Sequence, residues 1–250
     1  DWSSDVCSSD LLESGLRNWV EEQTHVQLGY VEQLYTFGDR GRHLEQPEKG
    51  PRIMSIGYLA LTRPQEGLRA PDTAWRDWYS YFPWEDWRDG KPTIIESAIL
   101  PRLATFVVGT PDSEVAQRRR DRVRLCFGID GLPWDEEKVL ERYELLYEAG
   151  LVTEARRDRK APTAGDDNAQ PLGVAMVFDH RRILATAMGR LRGKMKYRPV
   201  VFEVMTSEFT LLEFQRTVEA LSGAHLHKQN FRRLVESQGL VEGTGRMSRK

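Results

Sequence analysis

The stretch Thr210 to Val241, TLLEFQRTVEALSGAHLHKQNFRRLVESQGLV, constrains the fold most, because it specifies where two consecutive helices begin, end and face inward. Thr210 followed three residues later by Glu213 is a capping box, in which each side chain satisfies a backbone N–H left free at a helix start. Leu211, Phe214, Val218 and Leu221 then recur at helical spacing. Gly223 stands where a glycine ends a helix. A second helix is predicted from about His227 to Ser237, stopping at Gly239, with Leu226, Phe231, Leu234 and Val235 on its inner side. Lys228, Gln229, Arg232 and Arg233 fall largely on its outer side, and Asn230 lies near its start. A short basic helix of this kind suits a DNA major groove: Arg and Lys reach phosphates or guanine, and Gln or Asn can pair with adenine. An ordinary helical hairpin with a solvated basic face is the plainer alternative.

Charge favours the nucleic-acid reading. Residues 179–250 carry 14 Lys and Arg against 7 Asp and Glu, a net of +7; the whole chain is −2, which leaves −9 on residues 1–178. A basic C-terminal module on an acidic body is the electrostatic footprint of a nucleic-acid binder. Neither helix combines a broad apolar face with flanking aromatics, which disfavours a membrane surface. No apolar run approaches the roughly 20 residues that span a bilayer. Cys7 and Cys126 are too few and too far apart for a disulfide framework or a metal cluster, which points to the reducing cytoplasm.

Upstream, DWSSDVCSSD at residues 1–10 resembles a translated sequencing-adapter fragment; the rival is a disordered natural terminus, and either is set aside from the fold. Residues 11–29 read as a helix ending near Thr24, with Leu12, Leu16, Trp19 and Val20 on one apolar face. Residues 30–37 and 52–62 read as strands, joined through the basic turn Gly38-Asp39-Arg40-Gly41-Arg42. Helix, strand, polar loop, strand is the order of an α/β (α+β) domain. Four of the seven Trp fall in the irregular segment 72–100, where Trp84 and Trp87 are expected to pack over the sheet; a dimer surface is the alternative for this segment.

Two stretches together resemble a known family. ESGLRNWVEEQTHVQLGYVEQLYTFGDRGR, followed by ISIGYLAL, looks like the catalytic-helix end of a Nudix domain and its next strands. FDHRRILATAMGRLRGKMKYRPVVFEVM, then FTLLEFQRTVEALSG, then NFRR, resembles the linker helix and winged helix of the Nudix-related transcriptional regulators of NAD metabolism. The resemblance covers about residues 11–62 and 172–245. It implies a homodimeric repressor of NAD biosynthesis or salvage genes that binds a double-stranded DNA operator and senses ADP-ribose or a related nucleotide without hydrolysing it, with no cofactor.

The residues bear on catalysis directly. Nudix hydrolysis needs several carboxylates on one helix face, because Mg²⁺ bridging a pyrophosphate takes hard oxygen ligands. Against the pattern R-E-U-x-E-E-x-G-U, where U is aliphatic, Arg17 as the motif Arg retains Glu21 and Glu22 but has Asn18 for the adjacent Glu. The register set by the following strand puts Asn18 and Trp19 at those two places, keeps Glu22, and has Gln23 and His25 at the second Glu and the Gly. The second register is preferred; both lose the Glu beside the Arg. No catalytic residue and no metal ligand is therefore assigned, and Arg17, Glu21 and Glu22 are read as a degenerate box. For the nucleotide, Arg40 and Arg42 offer guanidinium groups to a diphosphate, with a plain polar connection as the alternative, and Tyr35 and Phe37 offer rings to an adenine, with ordinary core aromatics as the alternative.

Residues 101–160 depart from the family's pattern and read as a helical insertion. One helix is capped by Ser113 and runs to about Phe127, with Arg118, Arg119 and Arg120 as a solvated run; a second runs from Asp135 to Ala149 and stops at Gly150. Ala161–Gln170 reads as a loop and 172–178 as a short strand. Asp179 caps a helix to about Lys196, with Ile183, Leu184, Ala187, Met188 and Leu191 inward and Arg190, Arg192, Lys194 and Lys196 solvated. Tyr197–Met205 reads as another strand. The expected organisation is a Nudix-like sensor over 11–178, with its N-terminal strands missing and a sheet edge exposed, then linker helix and winged helix over 179–250. The absence of an initiator Met and a wing that only begins at Val241–Lys250 predict truncation at both ends. A Nudix hydrolase acting on ADP-ribose or another nucleoside diphosphate derivative, and a partner-binding module, are the alternatives; the second is separated from DNA binding by a shallow salt dependence.

Overall fold

The structure is a computed structural model, and it describes residues 8–37, 54–63, 74–158 and 172–245. It is a mixed, helix-rich fold with a small sheet. Helix α1 (Ser8–Thr24) ends at the predicted place and leads into β1 (Val31–Phe37), which pairs antiparallel with β2 (Ser55–Ala60), Val31 opposite Ala60. The register shifts between Gln33 and Thr36. On α1 the expected apolar face is only partly inward: Leu16 and Val20 are half-buried, but Trp19 is 62% exposed. The sheet buries Leu34, Leu59 and Leu61 against Ala187 and Leu191 of α6 (His180–Met195).

The helices α2 (Leu100–Val108), α3 (Ser113–Phe127), α4 (Val139–Glu148) and α5 (Thr153–Arg157) build the largest core, and Ala185 and Met188 of α6 close it. The stretch that reads as an insertion thus supplies most of the buried residues of this core. Asp112, not Ser113, caps α3, because its carboxylate accepts from the N–H groups of Glu114 and Val115. α4 starts at Val139; Asp135–Lys138 form the turn before it, and Gly150 follows with φ 71°. Within the arginine run, Arg119 is not simply solvated: it lies 3.9 Å from the Phe106 ring centre and donates to the Phe106 carbonyl.

Trp84 and Trp87 serve this helical core and not the sheet. Trp84 is fully buried beside Phe82 and Arg181, and Trp87 faces Trp134 at 4.5 Å between ring centres. Trp78 packs against both this core and the sheet-side cluster. Aromatic spacing in an irregular segment carries no direction, so only packing decides which surface each ring covers.

Two predicted strands are absent. In 172–178 the N–H of Val174 donates to the Ser80 carbonyl and that of Met176 to Glu154 Oε1, so these two groups find partners outside any ladder. Residues Val200–Val204 form a 3₁₀ helix after Pro199, with Val200 in the sheet-side core and Val201 in the C-terminal one. A short apolar run is compatible with either state, and periodicity cannot separate them. The capping box of α7 (Leu211–Ser222) and the ends of α8 (Lys228–Gln238) agree with the sequence, with Gly223 and Gly239 left-handed at φ 74° and 60°. Among the described residues no helix is long and apolar enough to cross a membrane.

Candidate nucleic-acid interface

α8 is oriented by the side chains it buries. Phe231 and Val235 pack with Val201, Met205 and Phe214; Phe214 and Phe231 lie 5.3 Å apart between ring centres, and Phe202 stacks on Phe214 at 5.1 Å. Residues four apart share a helix face, so anchoring Phe231 and Val235 turns Lys228 with Arg232, and Gln229 with Arg233, into two neighbouring outward ridges. All four are exposed, as is Asn230. Leu234, expected inside, is 53% exposed, because it shares the ridge of Asn230 and not that of Phe231. The five predicted DNA-contact residues therefore form one polar, cationic surface.

This surface is fixed to the rest of the molecule through the end of α7. The last carbonyls of a helix lack intrahelical donors, and here the body provides them. Tyr79 Oη donates to the Ala220 carbonyl at 2.8 Å, and the Trp87 N–H donates to the Gly223 carbonyl at 2.6 Å. Burial raises the Tyr79 pKa, with Arg192 opposing it, so the phenol stays a donor. Behind this junction the buried Glu85 carboxylate accepts from Arg142 Nε at 2.6 Å and Nη2 at 2.9 Å, and from Arg192 Nη1 at 2.8 Å. Arg192 Nη2 also donates to the Glu85 carbonyl. Gly223 permits the contact: a Cβ there would meet the Glu85 carbonyl and sit 2.6 Å from the Arg192 guanidinium.

Arg192 and Lys194, read as solvated, are thus buried. Lys194 pairs with Glu32 at 2.5 Å and donates to Tyr30 Oη. Lys196 is exposed and pairs with Glu136 and Glu137. Long cationic side chains look alike in a sequence; the partners that let two of them be buried come from residues 162 and 107 positions away. Tyr79, Glu85, Trp87 and Arg192 carried no sequence signal for this role.

The residues expected at a nucleotide site are placed unevenly. Tyr35 is exposed on β1 and faces α6: Arg190 lies 5.7 Å from its ring centre, and both line a cleft of about 590 Å³ with Lys138 and Tyr197. Phe37 ends β1. Arg40 and Arg42 lie outside the described residues. Arg17 makes a structural tie, pairing with Glu13 at 2.7 Å and donating to the carbonyls of Leu28 and Gly29, which fixes the path from α1 into β1. Glu21 and Glu22 are exposed at the end of α1. Among the described residues no three His, Cys, Asp or Glu are grouped to hold a metal ion.

Residues 201–250 match the family model described as the NrtR DNA-binding winged helix domain. The chain is 37% identical over 75 residues to the "ADPR responsive transcriptional repressor NtrR" of Acinetobacter baylyi (strain ATCC 33305 / BD413 / ADP1). That match spans 30% of this chain and 30% of the relative's length. The crystal structure of Shewanella oneidensis NrtR aligns over 98% of this chain and 68% of its own, with TM-score 0.46 and 20% identity. The same protein complexed with a 27mer DNA aligns over 96% and 68%, with TM-score 0.43 and 20% identity. The winged-helix match and the NtrR match together carry the resemblance to Nudix-related transcriptional regulators.

Proposed function

We propose that this chain is a DNA-binding transcriptional repressor of the NrtR type, in which α8 reads a double-stranded operator and the body responds to ADP-ribose or a related nucleotide. The observation that carries the reading is the outward surface of Lys228, Gln229, Asn230, Arg232 and Arg233, presented by a segment that matches an NrtR winged helix. The relative named as an ADPR-responsive repressor supports the effector. The regulated genes are those of NAD biosynthesis or salvage, and the protein acts in the cytoplasm as a homodimer whose two-fold symmetry matches a palindromic site. The sensor is residues 11–178 and the reader 179–250. Tyr35, Phe37, Arg40 and Arg42 are proposed for the nucleotide.

The Nudix-like part binds and does not hydrolyse. In either register the box lacks the Glu beside the Arg; at most Glu21 and Glu22 remain with Arg17, and only Glu22 in the preferred one, so the carboxylate set for Mg²⁺ is incomplete. Mg²⁺-dependent release of AMP from ADP-ribose at ordinary enzymatic rates would overturn this.

The deciding experiment is fluorescence anisotropy of the chain on promoter DNA from NAD biosynthesis genes, titrated with ADP-ribose. Tight binding reversed by the nucleotide is the expected result. Binding without reversal removes the effector from the proposal, and no binding at low salt removes the DNA reading.

A further inference from the structure

The turn that launches α8 is held from α7 by two side chains. Gln215 is buried on α7, and a buried amide requires partners. Its Nε2 donates to the Leu226 carbonyl at 2.8 Å and to Glu219 Oε1 at 3.0 Å. The same Glu219 oxygen accepts the Leu226 N–H at 2.9 Å. Both main-chain polar groups of Leu226 are therefore bound to α7. Leu226 immediately precedes His227, the N-cap of α8, and the His227 side chain makes no capping bond. Helix α8 begins with no side-chain cap of its own.

We propose that Gln215 and Glu219 are positioning residues for DNA reading by α8, setting the direction in which Lys228 and Gln229 leave the turn. The proposal rests on the DNA-binding reading above. Apolar packing at Phe231 and Val235 fixes the middle of α8 but tolerates tilt, whereas hydrogen bonds are directional. In a helix-turn-helix the N-terminal residues of the second helix meet the base edges. Releasing Leu226 displaces Lys228 and Gln229 first. Arg232 and Arg233, one turn further on, stay over the packed middle. Sequence discrimination then falls more than general phosphate affinity.

The test starts by selecting a tight duplex from a random-sequence library with the parent chain. The ratio of affinities for that duplex and for random duplex is then measured for Glu219→Leu, Glu219→Gln and the gentler Gln215→Met. Loss of one such bond corresponds to about fivefold to tenfold, and that fall in the ratio is expected for Glu219→Leu, with the salt slope retained. Glu219→Gln keeps an acceptor oxygen at the same place and is expected to restore the ratio. Amide hydrogen exchange at Leu226 is expected to quicken in Glu219→Leu and not in Glu219→Gln. Faster exchange with a parental ratio in both Glu219→Leu and Gln215→Met overturns the positioning role. So does an equal fall on both duplexes, which marks a purely structural bond. Parental exchange shows that the clamp is absent. If the parent selects no duplex, the DNA reading fails and the positioning role with it, while exchange at Leu226 still reports separately on the clamp.

Discussion

Replacing Glu85 by Gln preserves its shape and removes the charge between two buried guanidinium groups. Glu85 is 1% exposed, Arg142 is fully buried and Arg192 is 2% exposed. Breaking a buried ion pair by removing one partner costs about 3–5 kcal/mol, because the remaining charge is left uncompensated. Here one carboxylate serves two cations, which argues for the upper part of that range. Opposing this, Arg142 keeps the carbonyls of Cys126 and Asp135, and Arg192 keeps those of Glu136 and Glu85. A loss of about 4 kcal/mol results, a large share of the roughly 5–15 kcal/mol that separates folded from unfolded states. For a urea slope of about 2 kcal/mol per molar, the midpoint should fall by about 2 M, and Tm by about 10 °C. Urea and thermal unfolding of parent and variant, followed by circular dichroism, measure this. The exposed pair Arg122–Glu148 is the control; Arg122→Gln should cost about 1 kcal/mol or less. A Glu85→Gln chain within about 1 kcal/mol of the parent, at unchanged slope, would refute the claim that this carboxylate neutralises two desolvated cations.

Three other outcomes are expected. Arg232→Ala with Arg233→Ala should weaken binding to all DNA sequences and lower the salt slope by about 1–2, since each phosphate contact contributes about 0.9; parental affinity and slope would remove α8 from the interface. Gly223→Ala should destabilise the chain far more than Gly239→Ala, in thermal unfolding of the two variants. Both have positive φ, costing about 1–2 kcal/mol for a residue with a Cβ, but only at 223 would the Cβ press on the Glu85 carbonyl, nothing lying within 4 Å at 239. At Glu213, hydrogen bonds from the Thr210 N–H and hydroxyl hold the carboxyl below the usual glutamate value. A depressed folded-state pKa stabilises above the unfolded value and is lost as pH falls through the folded one, so the Tm gap between the parent and Glu213→Gln should be present at neutral pH and close in acid.

What was legible in the sequence is local. The capping box at Thr210 and Glu213, the stops at Gly223 and Gly239 and the Phe231 face depend on neighbours within a few residues, and each recurs in the structure. The outward placement of Lys228, Gln229, Arg232 and Arg233 follows from that same periodicity. Tertiary structure alone decided the rest. Residues 172–178 and Val200–Val204 have strand-like composition, yet among the described residues no neighbouring strand offers them a ladder. Arg192 and Lys194 could be buried only because Glu85 and Glu32, far away in the chain, neutralise them. Trp84 faces helices and not the sheet for the same reason: burial and charge pairing are settled by whichever distant surface arrives, and helical spacing carries no record of it.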